Sequence, residues 1–153
     1  MKNRLPVLLG VALLVIVPAF SQQSGPKPKS QKEADALNAI QQATDADTKL
    51  KLIDDLLAKY SDTEYKPILL DIAVETARQK NDAALVSVWG DRALQVNTKD
   101  YIAMLAIAET TAMSIKEYDL NLKDEVTRVD KNANGVMAAV KDAPKPQQLT
   151  DEQ

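Results

Sequence analysis

Histidine and cysteine are both absent from the 153 residues of this chain. Without cysteine the chain forms no disulfide, and without either residue it cannot build the usual zinc sites. The same absences exclude a cysteine nucleophile, a histidine base and a Ser-His-Asp triad. The chemistry that remains belongs to carboxylates, lysine, tyrosine, serine and threonine. We therefore expect a protein that is not an enzyme and that uses no cofactor or metal.

Positive charge and aromatic side chains are also in short supply. The chain has 19 Lys and Arg residues against 22 Asp and Glu, and it contains one Phe, one Trp and four Tyr. Proteins that bind nucleic acids usually present a basic face, and those that bind single strands present several exposed aromatic rings. The composition therefore predicts no nucleic-acid partner.

The first 21 residues have the pattern of a signal peptide. Lys2 and Arg4 precede an apolar run at 5–20, and Ser21 is a small residue suited to the cleavage site. The run is shorter than the roughly 20 residues that span a bilayer as a helix. We predict cleavage after Ser21 and a periplasmic or secreted protein, with an uncleaved membrane anchor as the alternative. A lipid anchor is excluded, because it needs a cysteine.

Two segments with the tripeptide Pro-Lys-Pro flank the middle of the chain. Residues 22–30 are predicted to be a flexible, partly extended linker, and residues 144–153 a disordered tail. The domain between them, residues 31–143, contains one proline and two glycines. That composition is typical of helices.

Six amphipathic helices are predicted in this domain, because apolar residues recur at i, i+3, i+4 and i+7 and no segment alternates with a period of two. Short loops make neighbouring helices antiparallel, so the predicted class is all-α. The predicted N-terminal caps are Thr44 or Asp45 for the second helix and Asp62 or Thr63 for the third, while the fourth helix is predicted to start near 81–82 and the fifth after residue 100. The core stripes of the middle helices are predicted to be Leu50, Ile53, Leu56, Leu57, Tyr60; Tyr65, Ile68, Leu69, Ile72, Ala73, Thr76; Leu85, Val88, Trp89, Arg92, Ala93, Val96; and Tyr101, Met104, Leu105, Ala108, Ala112, Ile115.

An internal repeat favours stacked helical hairpins. The sequence LDIAVETA at 70–77 returns as LAIAETTA at 105–112, an offset of 35 residues. Periods in the mid-thirties with two helices per unit are typical of helical solenoids, in which stacking buries an apolar face that one hairpin cannot bury alone. A single up-and-down bundle is the alternative.

This pattern resembles the tetratricopeptide-repeat (TPR) superfamily over about residues 34–141. Ala73 and Ala108 match the small residue of the family's first helix, and Ala93 matches the alanine near the end of the second. The stretch LLAKYSDTEY at 56–65 is similar to TPR-like proteins of bacterial envelopes. The resemblance implies an α-solenoid of about three hairpins and a role as an envelope scaffold.

The resemblance also implies a concave groove lined by the first helix of each hairpin. We expect a protein or peptide partner to contact exposed residues there, namely Val74, Arg78, Ile102, Glu109 and Met113. The predicted function is thus an exported, non-enzymatic scaffold for protein–protein interaction. The alternatives are a structural spacer or oligomerisation module, and a small cell-wall hydrolase with Glu109 as its acid.

Two local motifs have competing interpretations. Asp130, Asn132, Asn134 and Gly135 match the first half of a calcium-binding loop, but Lys141 occupies the position where such a loop needs Glu. We predict a helix through this motif. The single tryptophan is predicted to pack in the core, with an interface contact as the alternative.

Overall fold

The computed structural model describes residues 25–142 of the chain. The described residues form six α-helices and no strand, which confirms the predicted all-α class. The predicted signal peptide at 1–21 and the predicted tail at 144–153 lie outside the described residues. The helices are α1 (Gln31–Gln42), α2 (Ala46–Lys59), α3 (Lys66–Gln79), α4 (Ala83–Val96), α5 (Tyr101–Ser114) and α6 (Leu122–Asp142).

Aspartate caps begin three of the helices, and one of them, Asp45, was a predicted cap. The side chains of Asp45, Asp82 and Asp100 each accept a hydrogen bond from a backbone N–H in the first turn of α2, α4 and α5. Such bonds satisfy N–H groups that have no partner inside the helix. They fix the start of each helix and thereby the length of the preceding loop.

Helix α3 begins later than predicted. Asp62 and Thr63 lie in the loop before it, and Tyr65 occupies the N-cap without a side-chain capping bond. The Thr63 hydroxyl donates to the buried carboxylate of Glu33 at 2.5 Å and accepts the backbone N–H of Tyr65 at 3.2 Å. Thr63 thus joins this loop to α1, a tertiary contact that no local sequence rule reveals.

Each helix packs against the next one along the chain, and α3 also contacts α5. For description we group the six helices into three successive pairs, or hairpins, α1–α2, α3–α4 and α5–α6, and call α1, α3 and α5 the first helices. Two ion pairs also join the second helices of neighbouring hairpins, Arg92 to Asp54 at 2.8 Å and Arg128 to Asp91 at 2.9 Å. The shared core extends from α1 to α5 and includes Ile40, Leu50, Ile53, Leu56, Leu57, Leu69, Leu70, Ala73, Val74, Ala77, Val86, Trp89, Ala93, Ala103, Ala106 and Ile107.

The core faces of α3, α4 and α5 differ from the predicted stripes. A helix in the middle of the molecule packs against neighbours on two sides, so a wide part of its surface is buried. The remaining part, which includes some apolar side chains, is exposed to solvent. The predicted core residues of these helices that are exposed are Ile68, Ile72, Val88, Val96, Tyr101, Leu105 and Ala112. The apolar residues buried outside the predicted stripes are Leu70, Val74, Ala77, Val86, Ala103, Ala106 and Ile107.

Buried residues on the first helices recur at an offset that is one residue shorter than the 35-residue offset between the similar sequences. Ile40, Val74 and Ala108 are evenly spaced along the chain, on α1, α3 and α5, and all three are buried. Thr76 and Thr110 share the same offset, and each hydroxyl donates to the carbonyl four residues earlier at 2.7 Å. The alignment of the segments 70–77 and 105–112 is therefore out of register by one residue, because it pairs buried Val74 with exposed Glu109.

Small residues bring the helices close together. A Cβ atom at Gly90 of α4 would lie 2.7 Å from Cδ1 of Ile107 on α5, and one at Gly135 of α6 would collide with Met104 on α5. Trp89 is 5% exposed, so the core interpretation of this residue is correct. Both glycines therefore permit the tight contacts that α5 makes on its two sides.

Candidate binding groove

The first helices of the three hairpins share a face that carries two adjoining depressions. The larger, of about 510 Å³, lies between α3 and α5, and the smaller, of about 230 Å³, lies between α1 and α3. Ile72 lines both, so the two meet at this residue. We call the combined surface the first-helix groove.

Large apolar side chains form much of the groove surface. Ile68 and Ile72 of α3 are 45% and 36% exposed, and Tyr101 and Leu105 of α5 are 52% and 49% exposed. All four line one or other depression. Single exposed apolar residues are ordinary, but a group of them in a concavity is typical of a site that receives a ligand or partner.

Four of the five predicted partner-binding residues lie on or beside this groove. Arg78 and Ile102 line the larger depression, and Arg78, Glu109 and Met113 line a smaller one next to it. The prediction was wrong for Val74, which is fully buried in the core. The error comes from the predicted core stripe of α3, which included Ile72 and left out Val74, whereas the folded helix exposes Ile72 and buries Val74.

Arg78 joins the two helices at this end of the groove. Its guanidinium lies 2.9 Å from the carboxylate of Glu75 on α3 and 2.9 Å from that of Glu109 on α5. The hydrogen bond from Arg78 lowers the pKa of Glu75 below its usual value. Arg78 therefore links α3 to α5 through ion pairs with both carboxylates.

A second carboxyl pair lies at the other end of α5. Burial, a hydrogen bond to Asp100 and the negative charge of Asp100 raise the pKa of Asp71 to about 7. Asp100 accepts hydrogen bonds at 3.1 Å from the backbone N–H groups of Ile102 and Ala103, which suits an ionised carboxylate. The proton therefore belongs on Asp71, and the shared hydrogen bond connects α3 to the start of α5.

The described part of the predicted linker is held against the end of the groove. The Tyr65 hydroxyl donates to the carbonyl of Pro26 at 2.7 Å, and the ammonium of Lys29 lies 2.6 Å from the Asp62 carboxylate. Pro28 lines the smaller depression together with residues of α1 and α3. Residues 25–30 thus pack on the domain by contacts that the linker composition does not reveal.

Buried Glu33 holds this segment from beneath. One carboxylate oxygen accepts the Thr63 hydroxyl, and the other accepts the backbone N–H of Lys29 at 2.6 Å. Glu33 is only 1% exposed, and these partners offset the cost of burying its charge. The contact orders the chain immediately before α1.

Sequence reasoning missed the groove floor because it placed Ile72, Tyr101 and Leu105 in the core. It also missed Asp71, although a signal was present. This carboxylate interrupts the apolar run ILLDIAV at 68–74, and a charge in such a run requires a specific partner. The partner, Asp100, was noted only as the residue after which the fifth helix starts.

The acidic side chains of residues 25–142 do not gather into a metal site. These residues contain no group of three or more acidic, histidine or cysteine side chains placed to hold a metal ion. Helix α6 runs unbroken through 130–135, so the helical interpretation of the calcium-like motif is correct. None of the described helices combines the length and the apolar character needed to cross a membrane.

The chain was compared with protein-family models, with curated proteins and with solved structures, and nothing matches in any of the three comparisons.

Proposed function

We propose that the protein is an exported, non-enzymatic, TPR-like scaffold of the bacterial cell envelope that binds a protein or peptide partner in the first-helix groove. One observation carries the proposal: Ile68, Ile72, Tyr101 and Leu105 lie exposed together in a concavity between first helices. Burying such surface against a partner releases about 25 cal/mol per Å² of apolar area, before the costs of association.

The spacing of buried residues supports the TPR-like part of the proposal. A TPR unit is about 34 residues long and consists of two antiparallel helices. Ile40, Val74 and Ala108 are buried at that offset on the three first helices. The first helices α3 and α5 contact each other as neighbouring units of a helical stack do, and α1 and α3 share the lining of the smaller depression. Export rests on the sequence of residues 1–21 alone.

Capture of envelope proteins tests the groove. Leu105→Asp places a charge on the groove floor, whereas Val88→Asp places one on α4, outside the groove, at a similar exposure of 55%. We expect the unmodified chain and the Val88 variant to capture the same partner from an envelope extract, and the Leu105 variant to lose it. Circular dichroism first establishes that both variants are folded. Equal capture by both variants would contradict the proposal.

Self-association through α6 is the second candidate function, because one observation favours it. An apolar stripe with alternating spacings of four and three residues runs the length of α6, which is the pattern of a two-helix seam. Val126 and Val140 in this stripe are 43% and 58% exposed, while the face toward α5 contains Asn132 and Gly135. The stripe consists of Leu122, Val126, Val129, Ala133, Val136 and Val140.

Sedimentation equilibrium tests this second candidate. A dimer that dissociates in the double variant Val126→Glu and Val140→Glu would support self-association through α6. A monomer at every concentration, or a dimer that the double variant leaves intact, would rule it out.

A further inference from the structure

A pair of carboxyl groups crosses from α3 to the start of α5 at one end of the larger depression. Asp71 of α3 lines the depression and shares a hydrogen bond with Asp100, the N-cap of α5. Asp100 is 7% exposed and is fixed by the backbone N–H groups that it caps. One oxygen of Asp71 is shielded from solvent and accepts no hydrogen bond from the described residues. The two carboxyl groups are therefore confined against each other between the helices.

A link of a different kind joins the same helices at the other end of the depression. Arg78 lies two helical turns, about 10 Å, further along α3 than Asp71. Its guanidinium contacts Glu75 and Glu109 at 2.9 Å each, so it joins α3 to α5. A guanidinium keeps its charge at every pH near neutrality, and Arg78 holds the pKa of Glu75 below its usual value. This link is therefore independent of pH near neutrality, whereas the carboxyl pair needs a proton.

The charged groups around the pair come from the helices that line the depression. Besides Asp71, the ionisable residues of this lining are Lys49 from α2, Glu75 and Arg78 from α3, and Tyr101 from α5. Within residues 25–142, α4 contributes no side chain to it. Lys99 adjoins Asp100 along the chain. The negative charge that acts on Asp71 is that of Asp100, so loss of the proton places two like charges side by side.

Resting on the function proposed above, we propose that Asp71 and Asp100 form a proton-controlled latch that sets the width of the larger depression, where the partner binds. With the proton in place, the latch holds α3 and α5 together at the Tyr101 end. Without it, the two carboxylates repel each other and this end widens, while Arg78 holds the other end. The proton leaves as the pH rises through about 7, the pKa of Asp71 in the folded protein.

Double electron–electron resonance tests the latch, because the chain has no cysteine and spin labels attach only where cysteine is introduced. Labels at Ile68→Cys and Leu105→Cys report on the latch end, since both residues are exposed on the groove. We expect their mean separation to lengthen by about 1–2 Å, the usual scale of helix shifts, between pH 5 and pH 8.5. The midpoint of this change should lie near pH 7.

Two controls belong to this experiment. Labels at Gln79→Cys and Met113→Cys, which are exposed beside Arg78, should keep the same separation at both pH values. In the Asp71→Asn background, the labels at 68 and 105 should stay at their short separation, because an amide donates to Asp100 at any pH. Circular dichroism at both pH values establishes that each labelled chain is folded.

Three outcomes would overturn the proposal. An unchanged separation of the labels at 68 and 105 would mean that Asp71 turns its charge toward solvent without moving the helices. The same lengthening in Asp71→Asn would assign the change to another group. Equal lengthening at both label pairs would indicate a general loosening of the fold. Any of these, with Leu105→Asp still losing its envelope partner, would reject the latch and leave the proposed function intact.

Discussion

Gly90 sets the distance between two helices through a single missing atom. A methyl group in its place would lie 2.7 and 2.8 Å from the Cδ1 and Cγ1 atoms of Ile107. Ile107 is 1% exposed, so it has little room to move. The close packing of α4 on α5 therefore favours glycine at this position, although glycine in a helix is about 1 kcal/mol less favourable than alanine.

Substituting Gly90→Ala should lower the free energy of unfolding by about 1–2 kcal/mol, because overpacking exceeds the gain in propensity. Urea denaturation measures the change. In the background Ile107→Ala, which leaves a cavity beside residue 90, the same substitution should be neutral or stabilising. A gain in stability from Gly90→Ala alone would show that α4 and α5 do not pack as closely as described.

Asp71 makes stability depend on pH. Its pKa rises from 3.8 in the unfolded chain to about 7 in the folded protein, so between these values the folded state binds a proton that the unfolded state does not. Stability from this group is therefore full at the acidic end of that window and is lost as pH rises through about 7. Above pH 7 two carboxylates repel each other at the junction of α3 and α5.

Asp71→Asn should remove this dependence, since an amide donates to Asp100 at any pH. We expect the melting temperature of the unmodified chain to fall between pH 5 and 8, and the variant to be more stable at pH 8 by on the order of 1–2 kcal/mol after solvent screening. Asp130→Asn, at an exposed position on α6, is the control. If the variant and the unmodified chain have the same pH profile, the carboxyl pair is not formed.

At the scale of the helical element, burial follows the stack rather than the local stripe. Sequence patterns located all six helices and the Asp45 cap, because those features depend on residues near one another in the chain. They did not locate the groove floor, because the exposure of Ile72 and Leu105 depends on how helices distant in the sequence pack together, which local periodicity does not record. The start of α3 was missed for a similar reason, as Thr63 is engaged by Glu33 of α1.

Val74 on α3 and Val88 on α4 distinguish the predicted core stripes from the observed ones. The sequence placed Val88 in the core and Val74 on the surface, whereas Val88 is 55% exposed and Val74 is fully buried. Val74→Ala should therefore cost about 2 kcal/mol and Val88→Ala less than about 0.5 kcal/mol. Chemical denaturation of both variants measures these two costs. A larger loss of stability from Val88→Ala than from Val74→Ala would support the predicted core stripes and contradict the observed ones.

At the scale of the whole molecule, helices α1 to α5 share one core, α6 packs on α5, and the first helices carry an exposed groove. The absence of histidine and cysteine removes the commonest catalytic groups, and in the described part the pair Glu75 and Glu109 is joined by Arg78. What the fold presents instead is an apolar groove flanked by charges. A surface of this kind suits recognition of another chain, which is the proposed role.

Photo-cross-linking in cells that make the protein tests this role most directly. A photoreactive residue is placed either at position 72, where the two depressions meet, or at position 88 on α4. The account predicts a discrete adduct with one envelope protein from position 72 and none from position 88. Adducts from position 88 alone, or the same adducts from both positions, would contradict the claim that the first-helix groove is the binding surface.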